Sequence, residues 1–279
     1  MGAQRRTTAA VLFGVAAMSL VLVLAAGQSQ VSGQAGPKSL LKEIHDKGEL
    51  RVGLALAEPH QFKDAATGEW KGIAVDMMKD WAKVLGVKFV AVDTSWDTMI
   101  PGLEANKYDI ASALNRRPPR ALVVTFSIPY INDLGVFAVH KDKSKAHTWA
   151  DINKGSETIC VVLSTAEDSA IQLVGTAAKV LRLPDENECR LALQGGRATA
   201  FFDDVSGQAQ YAAKNDWVRL IVPAPPIELQ GVSFAVRKGY GYDDIQALDI
   251  QIEHWVNEGL LTAAKQQYKM PDWEAYTKR

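Results

Sequence analysis

Cysteine is scarce in this chain, with two copies in 279 residues, and their separation matches no metal-ligand spacing. Histidine is nearly as scarce, and its five copies are scattered. Ser, His and Asp fall into no nucleophile-elbow pattern. The sequence therefore offers no catalytic constellation, no metal site and no cofactor motif. It also lacks a charge excess, because 31 Lys and Arg stand against 32 Asp and Glu for a net charge of −1. Without a basic face, nucleic acid is not an expected partner. Aromatics at 8% and charged residues at 23%, with ordinary Gly and Pro counts, match neither a disordered, a collagenous nor a coiled-coil chain. What remains is a globular protein long enough for one large domain or two ordinary ones.

The one long apolar run lies at the start. Arg5 and Arg6 precede residues 9–26, which carry no charge and only Ser19 as a clearly polar side chain. That is the pattern of a secretory signal peptide, residues 1–35, with cleavage expected between 27 and 36. An uncleaved anchor is the alternative, since about 18 apolar residues approach the minimum for spanning a bilayer. Removing residues 1–35 takes away two arginines and no acid, so the net charge moves from −1 to −3. Later segments are too short to span a membrane, so the mature protein is expected to be soluble in an exported compartment. An oxidising space permits a Cys160–Cys189 disulfide, and two buried thiols are equally compatible with the sequence.

From Leu50 onward, short β-branched runs alternate with amphipathic stretches, the grammar of an α/β fold. Strands are expected at 50–56, 88–92 and 108–114, with helices at 74–85 and 98–105. In the first of these helices Val75, Met78, Ala82 and Leu85 share a face and Gly86 stops it. The pattern then repeats: strands at 158–163, 180–183 and 199–202, helices at 166–178 and 186–194. Pro223-Ala224-Pro225-Pro226 interrupts the chain before a strand at 232–236 and helices at 243–259 and 260–268. Those last helices have no strands of their own to cover, so the chain is expected to return to the first unit. The similar segments Val136-Phe137-Ala138-Val139-His140-Lys141 and Val232-Ser233-Phe234-Ala235-Val236-Arg237 would be the two crossing strands of a hinge, with a cleft between the units.

The sequence resembles the polar amino-acid branch, family 3, of the bacterial extracellular solute-binding proteins of ABC importers. The matching pieces include Gly48-Glu49-Leu50-Arg51-Val52-Gly53, Gly72-Ile73-Ala74-Val75-Asp76, Ser95-Trp96-Asp97 and Tyr108-Asp109-Ile110. They continue through Leu114-Asn115-Arg116-Arg117-Pro118-Pro119-Arg120, Phe126-Ser127-Ile128-Pro129-Tyr130 and Gly196-Arg197-Ala198-Thr199-Ala200-Phe201-Phe202-Asp203-Asp204. The resemblance runs from about residue 47 to 270. It implies a periplasmic-binding-protein-like, type II fold of two parallel-core sheets joined by a two-strand hinge. Residues 36–137 and 234–279 would form a discontinuous first lobe and residues 138–233 an inserted second one.

The same resemblance implies roles for single residues. Arg120 matches the arginine that holds a ligand carboxylate, a task suited to a planar guanidinium with parallel donors. Asn115 would assist that carboxylate, the Ala113 carbonyl would meet the ligand amine, and Trp96 would pack on the ligand side chain. His60 and Ala57 stand where relatives usually have aromatics, which leaves room for a different side chain. Ser164 and Thr165, ahead of a helix, could bring hydroxyls and N–H groups to an anion, although relatives usually have Gly at the first position. Asp204 matches the acid that binds the α-amino group. Asp203 beside it is counted among the ligand-binding residues, with a solvated position as the alternative for the second of two adjacent strand-end acids, and of Arg116 and Arg117 at most one is expected to enter the site. The implied partners are a small ligand and the membrane permease subunits of an importer, with the receptor a monomer. Two alternatives stay open: a receptor for a carboxylate that is not an amino acid, and an enzyme like cyclohexadienyl dehydratase with Glu167, Asp168 or Asp203 as general acid.

Overall fold

The computed structural model describes residues 38–278; the expected signal peptide lies outside them. The chain opens with α1 (Leu40–Lys47), β1 (Glu49–Leu54), the small hairpin of β2 (Phe62–Lys63) and β3 (Trp70–Lys71), α2 (Ile73–Val84) and β4 (Lys88–Asp93). Next come α3 (Trp96–Glu104), β5 (Ile110–Asn115), the short α4 (Pro118–Ala121), β6 (Val124–Phe126) and the long β7 (Ile131–His140). The following stretch holds α5 (Trp149–Ile152), β8 (Thr158–Val162), α6 (Ala166–Val174), β9 (Lys179–Leu183), α7 (Glu186–Gly195), β10 (Ala200–Asp204), α8 (Val205–Lys214) and β11 (Val218–Ile221). β12 (Leu229–Arg237), α9 (Tyr242–Asn257), α10 (Leu260–Gln267) and α11 (Glu274–Thr277) complete it.

Two parallel cores result. β1 lies between β4 and β5 and runs parallel to both, and β8 lies likewise between β9 and β10. The cores are joined by β12 and β7, which pair antiparallel from Leu229 with Leu134 to Val232 with Ile131. Past that crossing β12 continues along β5 and β7 continues along β10, giving the order β4-β1-β5-β12-β7-β10-β8-β9. This is the two-lobe α/β fold with a two-strand hinge that the sequence led us to expect.

Each lobe has its own packing. Leu50, Val52 and Leu54 of β1 meet Ile73, Met77, Met78 and Trp81 of α2 and Leu248, Ile252 and Trp255 of α9. Burying each such side chain contributes ~1.5–3 kcal/mol, so α9 is held on the first lobe. In the second lobe Phe137 stacks on Phe202 with centroids 4.5 Å apart, beside Ile159, Val161 and Ile171. A disulfide joins Cys160 of β8 to Cys189 of α7, which resolves the choice between bridge and free thiols.

The elements differ from expectation where side-chain pattern is weak. The helix expected to reach residue 178 stops at Val174, because Gly175 takes φ +69 and its N–H caps the Ile171 carbonyl. The helix α8 and the β2–β3 hairpin were not legible: Ser206-Gly207-Gln208-Ala209-Gln210 has no apolar stripe, and two-residue strands have no period to read.

One glycine positions the later site. Gly72 takes φ +124, and a Cβ there would stand 2.4 Å from the His60 carbonyl oxygen. The close approach lets Ala74 N–H donate to that oxygen at 2.9 Å, docking the loop of residues 57–61 on the start of α2. Gly72→Ala should cost at least ~1–2 kcal/mol from backbone strain alone, read as a lower denaturation midpoint. An unchanged midpoint would refute this docking.

Candidate functional site

Ligands of open α/β sheets bind beyond the carboxyl ends of parallel strands. Here the ends of β5, β8 and β10 converge on one pocket, about 440 Å³ with its open mouth included.

The first-lobe wall starts at a bulge in β5. Asn115 pairs with Val232, Leu114 with Ser233 and Ala111 with Ala235, so Ser112 and Ala113 together oppose Phe234. Ala113 takes φ +53, rare for a residue with a Cβ, and the kink carries Ala113 and Asn115 into the pocket lining. Pro118 and Pro119 then open α4, where a missing N–H costs nothing. That turn presents Arg120. Its guanidinium donates to the carbonyls of Asn115 (3.2 Å) and Ser164 (2.9 Å) and, among the described residues, enters no ion pair. A cation held in a pocket by neutral carbonyls is prepared for a charge-assisted bond to an anion. Burial pushes its pKa down, with the negative charge of Glu167 opposing.

Trp96 begins α3 behind the Ser95–Thr98 capping box, and its indole N–H donates to the Leu56 carbonyl at 3.0 Å. The ring is thereby fixed in the pocket wall. His60 lines the same wall, only 1% exposed, with Nδ1 2.8 Å from the Tyr130 hydroxyl and Nε2 3.3 Å from Asp133. Asp133, on the hinge strand β7, also accepts from the Ser206 hydroxyl of α8. Ala57 lines the pocket without filling it.

The second-lobe wall corrects the expectation for Ser164. Ser164 is exposed and outside the lining; it holds φ +65, the left-handed backbone that favours the glycine of its relatives, and contributes only its carbonyl to Arg120. Thr165 does line the pocket, but its hydroxyl accepts from Asp168 N–H and donates to the Val162 carbonyl, so it serves the α6 cap. Asp203 lines the pocket rather than taking the solvated alternative. Its carboxylate turns back to accept the Asp204 N–H at 3.0 Å, so both acids face the pocket. Asp204 also caps α8, accepting the Gly207 N–H at 2.8 Å. Asp168, one of the candidate general acids, is tied to Arg182 at 2.8 Å and lies outside the lining. Arg117 reaches across to the Ala166 carbonyl, while Arg116 lines a separate surface groove.

Glu186 was missed altogether. It opens α7 behind the cap Asp185, is 5% exposed, and pairs with Arg190 at 2.9 Å. Its position immediately after a parallel strand, β9, is the signal that could have found it. Glu167, named above only as a candidate general acid, is also 5% exposed and lines the pocket.

Four acids thus line the pocket with Arg120. Burial pushes Asp203 well above the usual carboxylate range, and the charges of Glu186 and Asp204 add to it. Asp204 is raised likewise, by burial and then by Asp133 and Glu186; burial also raises Glu167 and Glu186. A raised carboxyl binds its proton more tightly folded than unfolded, so its stabilising contribution is present below about pH 4 and fades as pH rises through the folded value. His140, lowered by burial, opposes this near neutrality. The ligand-free protein should therefore lose thermal stability between about pH 5 and about pH 7.5, and Asp203→Asn should flatten that slope. A slope of the opposite sign would contradict the assignment.

His60, Asp133 and Asp204 each bring one potential metal-ligand atom within 4.8 Å of the others. Both His60 nitrogens face protein partners and Asp133 also holds Ser206, so these groups are arranged as a hydrogen-bonded network.

Comparison with known proteins identifies the family. The family profile of bacterial extracellular solute-binding proteins, family 3, matches residues 50–270. A probable amino-acid ABC transporter periplasmic-binding protein of Sinorhizobium fredii is 24% identical over 93% of this chain and 87% of its own length. An ancestral amino-acid-binding protein, described as a precursor of cyclohexadienyl dehydratase, superposes with TM-score 0.74 at 30% identity, over 83% of this chain and 99% of that one. An amino-acid ABC transporter substrate-binding protein of Streptococcus pneumoniae, bound to L-arginine, gives TM-score 0.75 at 25% identity, over 84% of this chain and 100% of that one. No helix among the described residues is long and apolar enough to cross a membrane. The chain belongs to family 3 of the bacterial extracellular solute-binding proteins, the amino-acid receptors of ABC importers.

Proposed function

We propose that this protein is a monomeric periplasmic receptor, exported by residues 1–35, that captures an amino acid between its lobes and delivers it to the permease subunits of an ABC importer. The first lobe comprises the chain on the outer sides of the β7–β12 crossing and the second the chain between, so the bounds expected at 137 and 234 move back to the crossing itself, Ile131–Leu134 with Leu229–Val232, and closure bends that crossing. The ligand α-carboxylate sits on Arg120 with Asn115, its ammonium on Asp204 and the Ala113 carbonyl, and its side chain against Trp96. The observation that carries this reading is the pairing of chemistry in one pocket: a guanidinium without an ion partner among the described residues and a carboxylate raised by burial. An ammonium would offset the cost of ionising Asp204 there. A carboxylate ligand without an amine would leave Asp204 unpaired, which disfavours that alternative.

Mass spectrometry of small molecules released from gently purified protein should identify an amino acid, and a thermal-shift panel should show the same compound raising the melting temperature. Release of a non-amino-acid carboxylate that stabilises the protein would replace this reading.

The dehydratase alternative keeps two pocket acids, Glu167 and Asp203, that burial holds toward the protonated form. The receptor reading expects no turnover: prephenate incubated with the protein should yield no phenylpyruvate above the uncatalysed rate. Phenylpyruvate formation lost in Glu167→Gln would establish the enzyme instead.

A further inference from the structure

We propose that Asp203 and Glu186 form a cation-accepting subsite that selects amino acids with a positively charged side chain. This rests on the receptor reading above and extends it from ligand backbone to ligand side chain.

The argument is one of charge pairing in an enclosed space. Once Arg120 takes the ligand carboxylate and Asp204 the ammonium, the lining still holds Glu167, Glu186 and Asp203. The arginine and histidine side chains near them are already engaged. Arg190 is shared between Glu186 at 2.9 Å and Glu58 at 3.5 Å, and both His60 nitrogens face Tyr130 and Asp133. Asp203 has only the Asp204 N–H as a hydrogen-bond donor, and Glu167, more than nine-tenths buried, has no ion partner among the described residues. Neutral amino acids would leave these carboxylates desolvated by closure and unpaired, which is costly. A second ligand cation removes that cost.

The arrangement also has a direction. Arg120 is held at the carbonyls of Asn115 and Ser164, and Glu186 alone of the pocket lining also lines a neighbouring outer groove. A side chain anchored through its α-carboxylate at Arg120 therefore has its exit at Glu186. The lining also holds Trp96, Ala57 and Val232, suited to methylene groups. Glu186 is shared with an outer groove containing Glu58 and Arg190, so a long side chain has somewhere to end. The ligand class this fits is an α-amino acid with an ammonium or guanidinium on a flexible stem.

Calorimetry with L-arginine against its neutral isostere L-citrulline, on wild type, Asp203→Asn and Glu186→Gln, tests the subsite. Wild type should prefer arginine by about 100-fold or more, within the range of desolvated charge pairs. Asp203→Asn should shrink that preference to below about 10-fold while leaving citrulline affinity nearly unchanged. Glu186→Gln should act in the same sense, and melting curves of both variants report whether the fold is kept. Equal wild-type affinity for the two ligands, or equal loss of both in folded variants, would overturn the subsite. Tight binding of a neutral amino acid that Arg120→Ala abolishes would overturn the subsite alone; absence of binding by every amino acid would overturn the receptor reading with it.

Discussion

Arg120→Ala should weaken binding of every α-amino acid by ~3–5 kcal/mol, the cost of removing one partner from a buried charged pair. That is a loss of roughly two to three and a half decades in affinity. The size follows from the pocket's composition. With Arg120 gone, the ligand carboxylate would join Glu167, Glu186, Asp203 and Asp204 in a lining with no other arginine or lysine, and closure would drive like charges together. Arg120→Lys should recover only part of the loss, because an ammonium cannot donate two parallel bonds to one carboxylate. The fold should tolerate either change: the side chain's hydrogen bonds go only to the carbonyls of Asn115 and Ser164, from the four-residue helix α4. Calorimetry beside a ligand-free melting curve checks both statements. Affinity within threefold of wild type, in a variant that melts normally, would remove the carboxylate from Arg120.

The first-lobe wall was legible residue by residue because its signals are local. Two prolines before Arg120 fix a turn, and Ser95 before Trp96 with Thr98 behind it builds a helix start. The hinge was legible only to within a few residues: the apolar segments around Phe137 and Phe234 each pack inside one lobe, and the crossing lies just before them on both strands, at Ile131–Leu134 and Leu229–Val232. The second-lobe wall was harder to read. Whether Asp203 faces solvent or pocket depends on its side chain folding back to the Asp204 N–H, which strand alternation alone does not reveal. Glu186 reads in sequence as an ordinary first-turn acid, favourable to any helix; only the convergence of α7 with β10 and the 57–61 loop makes it part of a pocket. Ser164 failed for the complementary reason. Its hydroxyl suggested a donor, but the left-handed backbone that links β8 to α6 turns the side chain outward.

Reducing the Cys160–Cys189 disulfide should lower the unfolding free energy by ~3–4 kcal/mol, the loop-closure estimate for a crosslink of this length, here spanning 29 residues of sequence. The loss should reach function as well as stability. The bridge joins β8, whose end supplies Val162 to the pocket, to α7, whose first residue is Glu186. Cys160, Cys189 and Leu193 are fully buried in one apolar cluster with Phe201, so the reduced thiols should stay packed and the fold should persist under mild conditions. The helix would then be held to the sheet by packing alone, and the position of Glu186 would become less defined while Arg120 and Trp96, on the first lobe, would not move. Denaturant titrations with and without reductant measure the first effect. Arginine and citrulline affinities of the reduced, still folded protein measure the second, with arginine expected to lose more. Equal denaturation midpoints in the two redox states would show that the bridge adds no stability. An unchanged arginine preference would show that α7 keeps its place without it.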